Sequence, residues 1–213
     1  MQEIIDIFDG NYDHIGQFER RAAEKQGLWH HTFHCWIVSN RGDTGTVVLQ
    51  LRSQSKKNYP NMLDITAAGH LQAGESPIDG LREIEEELGT RPTAESLVPL
   101  GIKHDVMDEP GGVRNREFSH VYLLRDDRSL EQYTLDESEV TGLVDMPIGP
   151  GLRLFSNEID HVDCAAIRLE NGTKESFHRN VAVVDLIPRV DAYYLKVFIM
   201  AQLLLDGKKY LSI

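Results

Sequence analysis

The chain predicts an α+β fold, and three observations carry that expectation. Runs rich in aromatic, β-branched and aliphatic residues recur at 29–39, 46–52, 97–105 and 117–124, the composition of strands in a packed sheet. Two other stretches, 76–89 and 188–207, place apolar residues at helical spacing ahead of a glycine. The 213 residues are 41% hydrophobic, enough for a sizeable core, and suggest one domain with extensions or a domain and a half. The expected division is an N-terminal hairpin arm at 1–27, a core at 28–147, and a C-terminal hairpin-plus-helix extension at 148–213. That extension would pack on the core or at a dimer interface.

Taken in order, residues 3–8 (EIIDIF) form a short strand before an Asp9-Gly10-Asn11 turn. A short polar helix over 18–25 stops at Gly27. Residues 29–39 and 46–52 make a hairpin of the core sheet, joined through 40–45. Pro60 breaks the polar segment that follows, and 63–66 begins another short strand. The connection MDEPGGVRNR, between the strands at 97–105 and 117–124, suits a mobile loop over a pocket. Residues 136–144 return the chain to the edge of the sheet. Asn171-Gly172 sets a tight turn between alternating runs. The final helix takes Pro188 in its first turn and ends at Gly207; its aromatics Tyr193, Tyr194 and Phe198 read as packing, or as the face of a homodimer.

The formal net charge of −12 argues against general affinity for nucleic-acid backbones and for anionic membranes. The apolar run at 197–205 is too short to span a bilayer, and MQEIIDIFDG lacks the pattern of a secretory signal. Cys35 and Cys164 make no disulfide framework, which fits a cytoplasmic location. Within a strand, Cys35 reads as a buried thiol. Along WHHTFH, His30, Thr32 and His34 share one strand face while His31 points the other way. No Cys-x-x-Cys or His-Glu-x-x-His accompanies them, so each histidine is expected to be a satisfied structural residue.

The chemistry concentrates at 69–90, GHLQAGESPIDGLREIEEELGT. Ser76, Pro77 and Asp79 start a helix through a capping box, and Gly89 ends it. At helical pitch Glu83, Glu86 and Glu87 share one face, with Leu81, Ile84 and Leu88 opposite. Clustered carboxylates repel one another, and a hard divalent cation is the natural partner; a solvated acidic face is the plainer alternative. Together with Gly69, Gly74, Glu75 and Arg82, this stretch resembles the Nudix box, Gly-x5-Glu-x7-Arg-Glu-U-x-Glu-Glu-x-Gly-U, with U a bulky aliphatic. It departs from that pattern in two places: six residues rather than seven separate Glu75 from Arg82, and Thr90 stands where a larger aliphatic is preferred.

The resemblance implies a Nudix fold, a mixed β-sheet sandwiched between helices, and metal-dependent hydrolysis of a diphosphate. It assigns Mg²⁺, with Mn²⁺ as substitute, to Glu83, Glu86 and Glu87, and a further carboxylate from Glu117, with Asp108 and Glu109 as replacements. Glu83 or a loop carboxylate would be the general base. Arg82 would orient the glutamates, and Glu75 would act through water or by fixing the loop. Arg52, Lys56 and Lys57 lie in the segment before the box, and cations there suit the remaining charge of a diphosphate.

The flanks HHTFHCW, QLRSQSKKNYP and AAGHLQAGE resemble a branch of that superfamily, the type I isopentenyl-diphosphate isomerases, which move a double bond by protonation. That family has a catalytic cysteine just before the Gly-His pair, where this chain has Ala68 preceded by Ala67. Its metal site of histidines and glutamates is matched by His30, His70 and Glu117, while Ala23 and Asn115 stand where two other ligands would be. Arg52 and Lys56 align with its diphosphate-contacting positions. With the cysteine replaced and the box carboxylates kept, the expected function is a metal-dependent hydrolase of a nucleoside diphosphate linked to another moiety, acting on a small molecule. An isomerase-like enzyme and a non-catalytic nucleotide-binding module are the alternatives.

Overall fold

In the computed structural model, residues 2–41, 45–109 and 112–213 are described, apart from the Glu109 side chain. The chain opens with an antiparallel pair, β1 (Ile4–Phe8) and β2 (His14–Glu19), followed by α1 (Arg20–Gln26). Glu19 caps this helix by accepting a hydrogen bond from the Ala22 N–H at 2.8 Å. Strands β3 (Trp29–Ser39), β4 (Thr46–Arg52), β5 (Leu63–Asp64) and β6 (Ala67–His70) lead into α2 (Leu81–Leu88). Next come β7 (Leu97–Glu109), β8 (Val113–Arg125), β9 (Val140–Pro147) and α3 (Ile148–Phe155). Strands β10 (Val162–Glu170) and β11 (Thr173–Val181) precede the last helix, α4 (Tyr193–Leu205).

One sheet runs in the order β11-β10-β9-β4-β3-β1-β2, with β5, β6, β7 and β8 paired off this path. Its centre is β3, antiparallel to β4 and β6 and parallel to β8, so the sheet is mixed. Alternation along β3 feeds two cores. Phe33, Cys35 and Ile37 pack with Ile84 and Leu88 of α2, while Trp36 and Val38 pack with Ile148 and Leu154 of α3 and with Tyr193, Val197 and Phe198 of α4. The sheet thus lies between helices, as the sequence predicts. No helix among the described residues is long and apolar enough to cross a membrane.

Four details differ from expectation. The connection after residue 105 is largely strand: Met107 pairs with Asn115 and Asp108 with Arg114, reinforced by an Asp108–Arg116 ion pair at 2.7 Å. Pro110 and Gly111 within it, like residues 42–44 of the β3–β4 connection, lie outside the described residues. Strand β9 is not an edge, because the β10–β11 hairpin of the C-terminal segment pairs on its free side. The last helix begins at Tyr193 rather than near Pro188. Ile187 N–H instead bonds Leu63 O at 3.0 Å, and Leu186 bridges to Leu63, which holds this segment extended beside β5. Finally, α3 forms from the glycine- and proline-bearing IGPGLRLF. There Gly151 admits the Phe198 ring of α4, whose Cε1 would lie 2.3 Å from a Cβ at that position.

Candidate functional site

The loop before α2 is shaped by its own polar residues. Ser76 N–H and Oγ–H donate to Asp79 Oδ2 at 2.8 and 2.7 Å, closing the expected capping box over a 3-10 turn, Pro77–Gly80, that runs into α2. Gly89, at φ 65°, ends that helix. The N-terminal strand pins the loop from outside: Ala73 N–H donates to Ile4 O at 2.9 Å and Gly74 N–H to Asp6 Oδ2 at 2.7 Å. Gly69 lets β6 pass against the box, since a Cβ there would lie 2.1 Å from Glu83 Cδ.

These elements wall a cavity of about 580 Å³ whose lining includes Arg82, Glu83, Glu86, Glu87, Glu117, Arg52 and Lys56. Arg82 is the knot of the box. It ion-pairs with Glu83 at 2.5 Å and Glu86 at 3.3 Å, grips Glu75 at 2.8 and 3.1 Å, and donates to His70 O at 2.8 Å. Glu75, outside the lining, also accepts from Gln72 N–H at 2.7 Å, so it fixes Arg82 and its own loop. Arg52 lines the cavity but spends its guanidinium on Tyr59 O, Asn58 O and Asp64 at 3.0–3.2 Å. Lys56 ion-pairs with Glu139. Lys57 is not in the lining. Asp108 is engaged by Arg116 and does not line the cavity.

Burial dominates the electrostatics. Glu87, only 5% exposed, is pushed up to about 8 by desolvation, reinforced by the charge of Glu83. Glu83 is raised by its own burial against the opposing pull of Arg82. Burial likewise pushes Glu117 up to about 7. Carboxylates packed together at a cost to their charged forms are a donor set that fits a hard divalent cation.

Glu117 sits apart from the box side chains in its contacts, inside a histidine cluster. His30 Nδ1 bonds the Leu28 carbonyl at 2.9 Å; a carbonyl only accepts, so Nδ1 carries the proton and Nε2 keeps its lone pair. His30 Nε2 lies 4.0 Å and His70 Nε2 3.7 Å from Glu117 Oε1. Glu24 approaches His70 Nε2 at 3.9 Å. The three ligand atoms of His30, His70 and Glu117 lie within 4.8 Å of one another, and both Nε2 atoms are buried without a hydrogen-bond partner. The expectation of satisfied structural histidines therefore fails for these two, and also for His31, whose Nε2 is likewise buried without a partner. Strand pairing explains the cluster: β6 sets His70 opposite Thr32, beside His30, and β8 sets Glu117 beside His30, a convergence the spacing along β3 alone does not reveal. Imidazole with carboxylate fits a cation of borderline softness. His34 is satisfied, bonded to the Tyr193 hydroxyl at 3.0 Å.

Ala68 lines the cavity and its N–H donates to Glu87 Oε2 at 3.3 Å. Cys35 offers no substitute thiol, because it is buried in the core against α2 and its pKa is raised by that burial. Sequence reasoning missed Arg20, Glu24, Asp64, Asp105 and Arg189, all in the lining. None carries a local signal. Arg20, for instance, enters the wall held by Glu3 and Glu24, both at 2.9 Å.

The family model described as NUDIX domain matches residues 29–148. An uncharacterised Nudix hydrolase of Clostridium acetobutylicum is 34% identical over 91% of this chain and 94% of its own length. An isopentenyl-diphosphate Delta-isomerase of Serratia proteamaculans is 27% identical over 58% of this chain and 66% of its own. Of several further curated relatives the chain spans about half the length or less. A crystal structure of a Deinococcus radiodurans protein aligns with a TM-score of 0.56 at 23% identity, covering 73% of this chain and 90% of that one, a likeness of fold.

Proposed function

The chain belongs to the Nudix family of pyrophosphohydrolases, and from that premise we propose that it hydrolyses the diphosphate linkage of a nucleoside diphosphate joined to another group. Mg²⁺ is the proposed cofactor, with Mn²⁺ as substitute. The observation that carries this reading is the gathering of Glu83 and Glu86 around Arg82, with buried Glu87 beside them, in one cavity that also presents Lys56.

Glu83, Glu86 and Glu87 are the groups that would hold Mg²⁺, which when bound polarises the diphosphate and acidifies an attacking water. Glu83, fixed by Arg82 and pressed against Gly69, takes the proton of that water. In the cation-free chain its burial raises its pKa against the pull of Arg82, the direction that favours accepting a proton. The water oxygen attacks phosphorus, the bridging P–O bond breaks, and the departing phosphate leaves with the bonding pair. Arg82 holds the glutamates in place through charge-assisted bonds, and Glu75 holds Arg82. Lys56 meets phosphate oxygens, and Arg52 braces the loop at 58–59 that walls the cavity. His30, His70 and Glu117 would take a second, softer cation.

The arm at 1–27 and the extension at 148–213 are proposed as functional attachments to the 28–147 core: the first contributes Arg20 and Glu24 to the cavity, the second Arg189. A cytoplasmic location fits two free, buried cysteines.

One observation favours an isomerase-like reading, the His30–His70–Glu117 cluster; Ala68 and the remote Cys35 weigh against it. A single experiment separates these readings. The protein is incubated with Mg²⁺ and a panel of nucleotide sugars, dinucleotides, nucleoside di- and triphosphates and isopentenyl diphosphate, and products are identified by mass and by proton NMR, which separates isomers. A nucleoside monophosphate released from one linked diphosphate supports the hydrolase; conversion of isopentenyl diphosphate without change of mass overturns it.

A further inference from the structure

The segment between β11 and α4 lies beyond the stretch matched by the family model, which ends at residue 148, yet it delivers a cation to the cavity. Arg189 is only 8% exposed and lines the wall together with Arg52, Asp64 and Asp105. Its guanidinium bonds Asp64 Oδ1 at 3.1 Å and Asp105 Oδ2 at 2.8 Å, and lies 5.8 Å from the centre of the Tyr193 ring. The two carboxylates take two of its five N–H donors, and Nε, itself buried, has no hydrogen-bond partner.

The pairs extend on both sides. Asp64 also receives Arg52 at 3.2 Å, and Asp105 also receives Lys103 at 3.0 Å. The result is an alternating ladder, Arg52–Asp64–Arg189–Asp105–Lys103, of three cations and two carboxylates, with one positive charge in excess. The box contributes the opposite wall chemistry, acidic and shaped for cations. A diphosphate held through cations on the box still has oxygens to neutralise, and an arginine that lines the cavity is suited to them.

We infer that Arg189 is a substrate-binding residue, receiving a diphosphate oxygen from the wall opposite in charge to the box. Asp64 and Asp105 fix its orientation and the Tyr193 ring supports it. This rests on the proposed placement of the diphosphate in this cavity. The reach of the extended segment past β5, set by Ile187 N–H on Leu63 O, is what brings the arginine there.

The test uses methylenediphosphonate, an uncleavable diphosphate, titrated calorimetrically into the full chain with saturating Mn²⁺, beside a titration of Mn²⁺ alone. In Arg189→Gln, diphosphonate affinity falls at least about tenfold, equal to about 1.4 kcal/mol, while Mn²⁺ affinity holds or rises, because two carboxylates have lost their counter-charge. Arg189→Lys recovers part of the loss. If Arg189→Gln does not fold, the double variant Asp64→Asn/Arg189→Gln removes charge and partner together and carries the same loss of diphosphonate affinity with Mn²⁺ affinity unchanged. Unchanged diphosphonate binding, or loss of both ligands by similar factors, overturns the assignment of Arg189. A parent protein that binds Mn²⁺ but no diphosphonate overturns the placement of the diphosphate itself, and with it both readings.

Discussion

Arg82 holds Glu75 in a two-point grip, Nε on Oε1 at 2.8 Å and Nη2 on Oε2 at 3.1 Å, across a spacer one residue shorter than the family pattern. The same guanidinium reaches Glu83, Glu86 and the His70 carbonyl. A planar five-donor group can do this and an ammonium cannot. Arg82→Lys therefore leaves the fold intact but lowers apparent Mg²⁺ affinity roughly 10–100-fold, as loss of a ligand-orienting group does; Mg²⁺ titration of the steady-state rate measures it.

Glu83 and Glu86 differ in burial. The Glu86 side chain is 60% exposed, so Glu86→Gln should melt like the parent while losing turnover severely through weaker cation binding. Glu83→Gln removes the proposed base and should lower kcat by roughly 10²–10⁴-fold even at saturating Mg²⁺. Near-parent turnover in both variants would remove the box from the chemistry.

Glu87 gives a pH dependence with a definite sign. Its pKa is about 8 in the folded, cation-free chain against the ordinary 4.5. Between those values the folded state keeps a proton that the unfolded chain releases, so stability without a cation falls as pH rises through that window. A divalent cation displaces that proton, so stabilisation by Mg²⁺ grows over the same range. Melting curves at about pH 5.5 and about pH 8.5, with chelator and with Mg²⁺, should show the gap widening at the higher pH, and Glu87→Gln should flatten the trend.

The histidine cluster predicts a second cation preference. His70→Ala removes one of three converging ligand atoms, and the affinity for one equivalent of Zn²⁺, read by competition with a coloured chelator, should fall by at least about tenfold. Mg²⁺ dependence of stability should be nearly unchanged, since magnesium prefers the oxygen ligands of the box.

Legibility in the sequence followed the range of the interactions. The capping residues Ser76 and Asp79, the αL stop at Gly89 and the tight turn at Asn171-Gly172 act within a few residues, and all are visible in the chain. The aromatic and β-branched run at 29–39 marked the central strand, which is buried on both faces because one packs on α2 and the other on α3 and α4. What could not be read depends on strands meeting. His30, His70 and Glu117 are grouped by the resemblance to the isomerases and not by any spacing in the chain; they converge because β3 takes β6 on one side and β8 on the other. Arg20 and Arg189 arrive from the two ends of the chain with no motif around them. Pro188 suggested a helix start, but the pairing of Leu186 and Ile187 with Leu63 wins over that local preference and sends Arg189 to the cavity instead.

The central claim is attack of water on phosphorus in the cavity walled by the box. It is tested most directly by turnover in ¹⁸O-labelled water with Mg²⁺, locating the label in the products by mass. The account predicts one labelled oxygen on a phosphate group of the products in the parent protein, and the same labelled product formed roughly 10²–10⁴-fold more slowly in Glu83→Gln. Label on the non-phosphate product, or an isomerised diphosphate with no label at all, would contradict it.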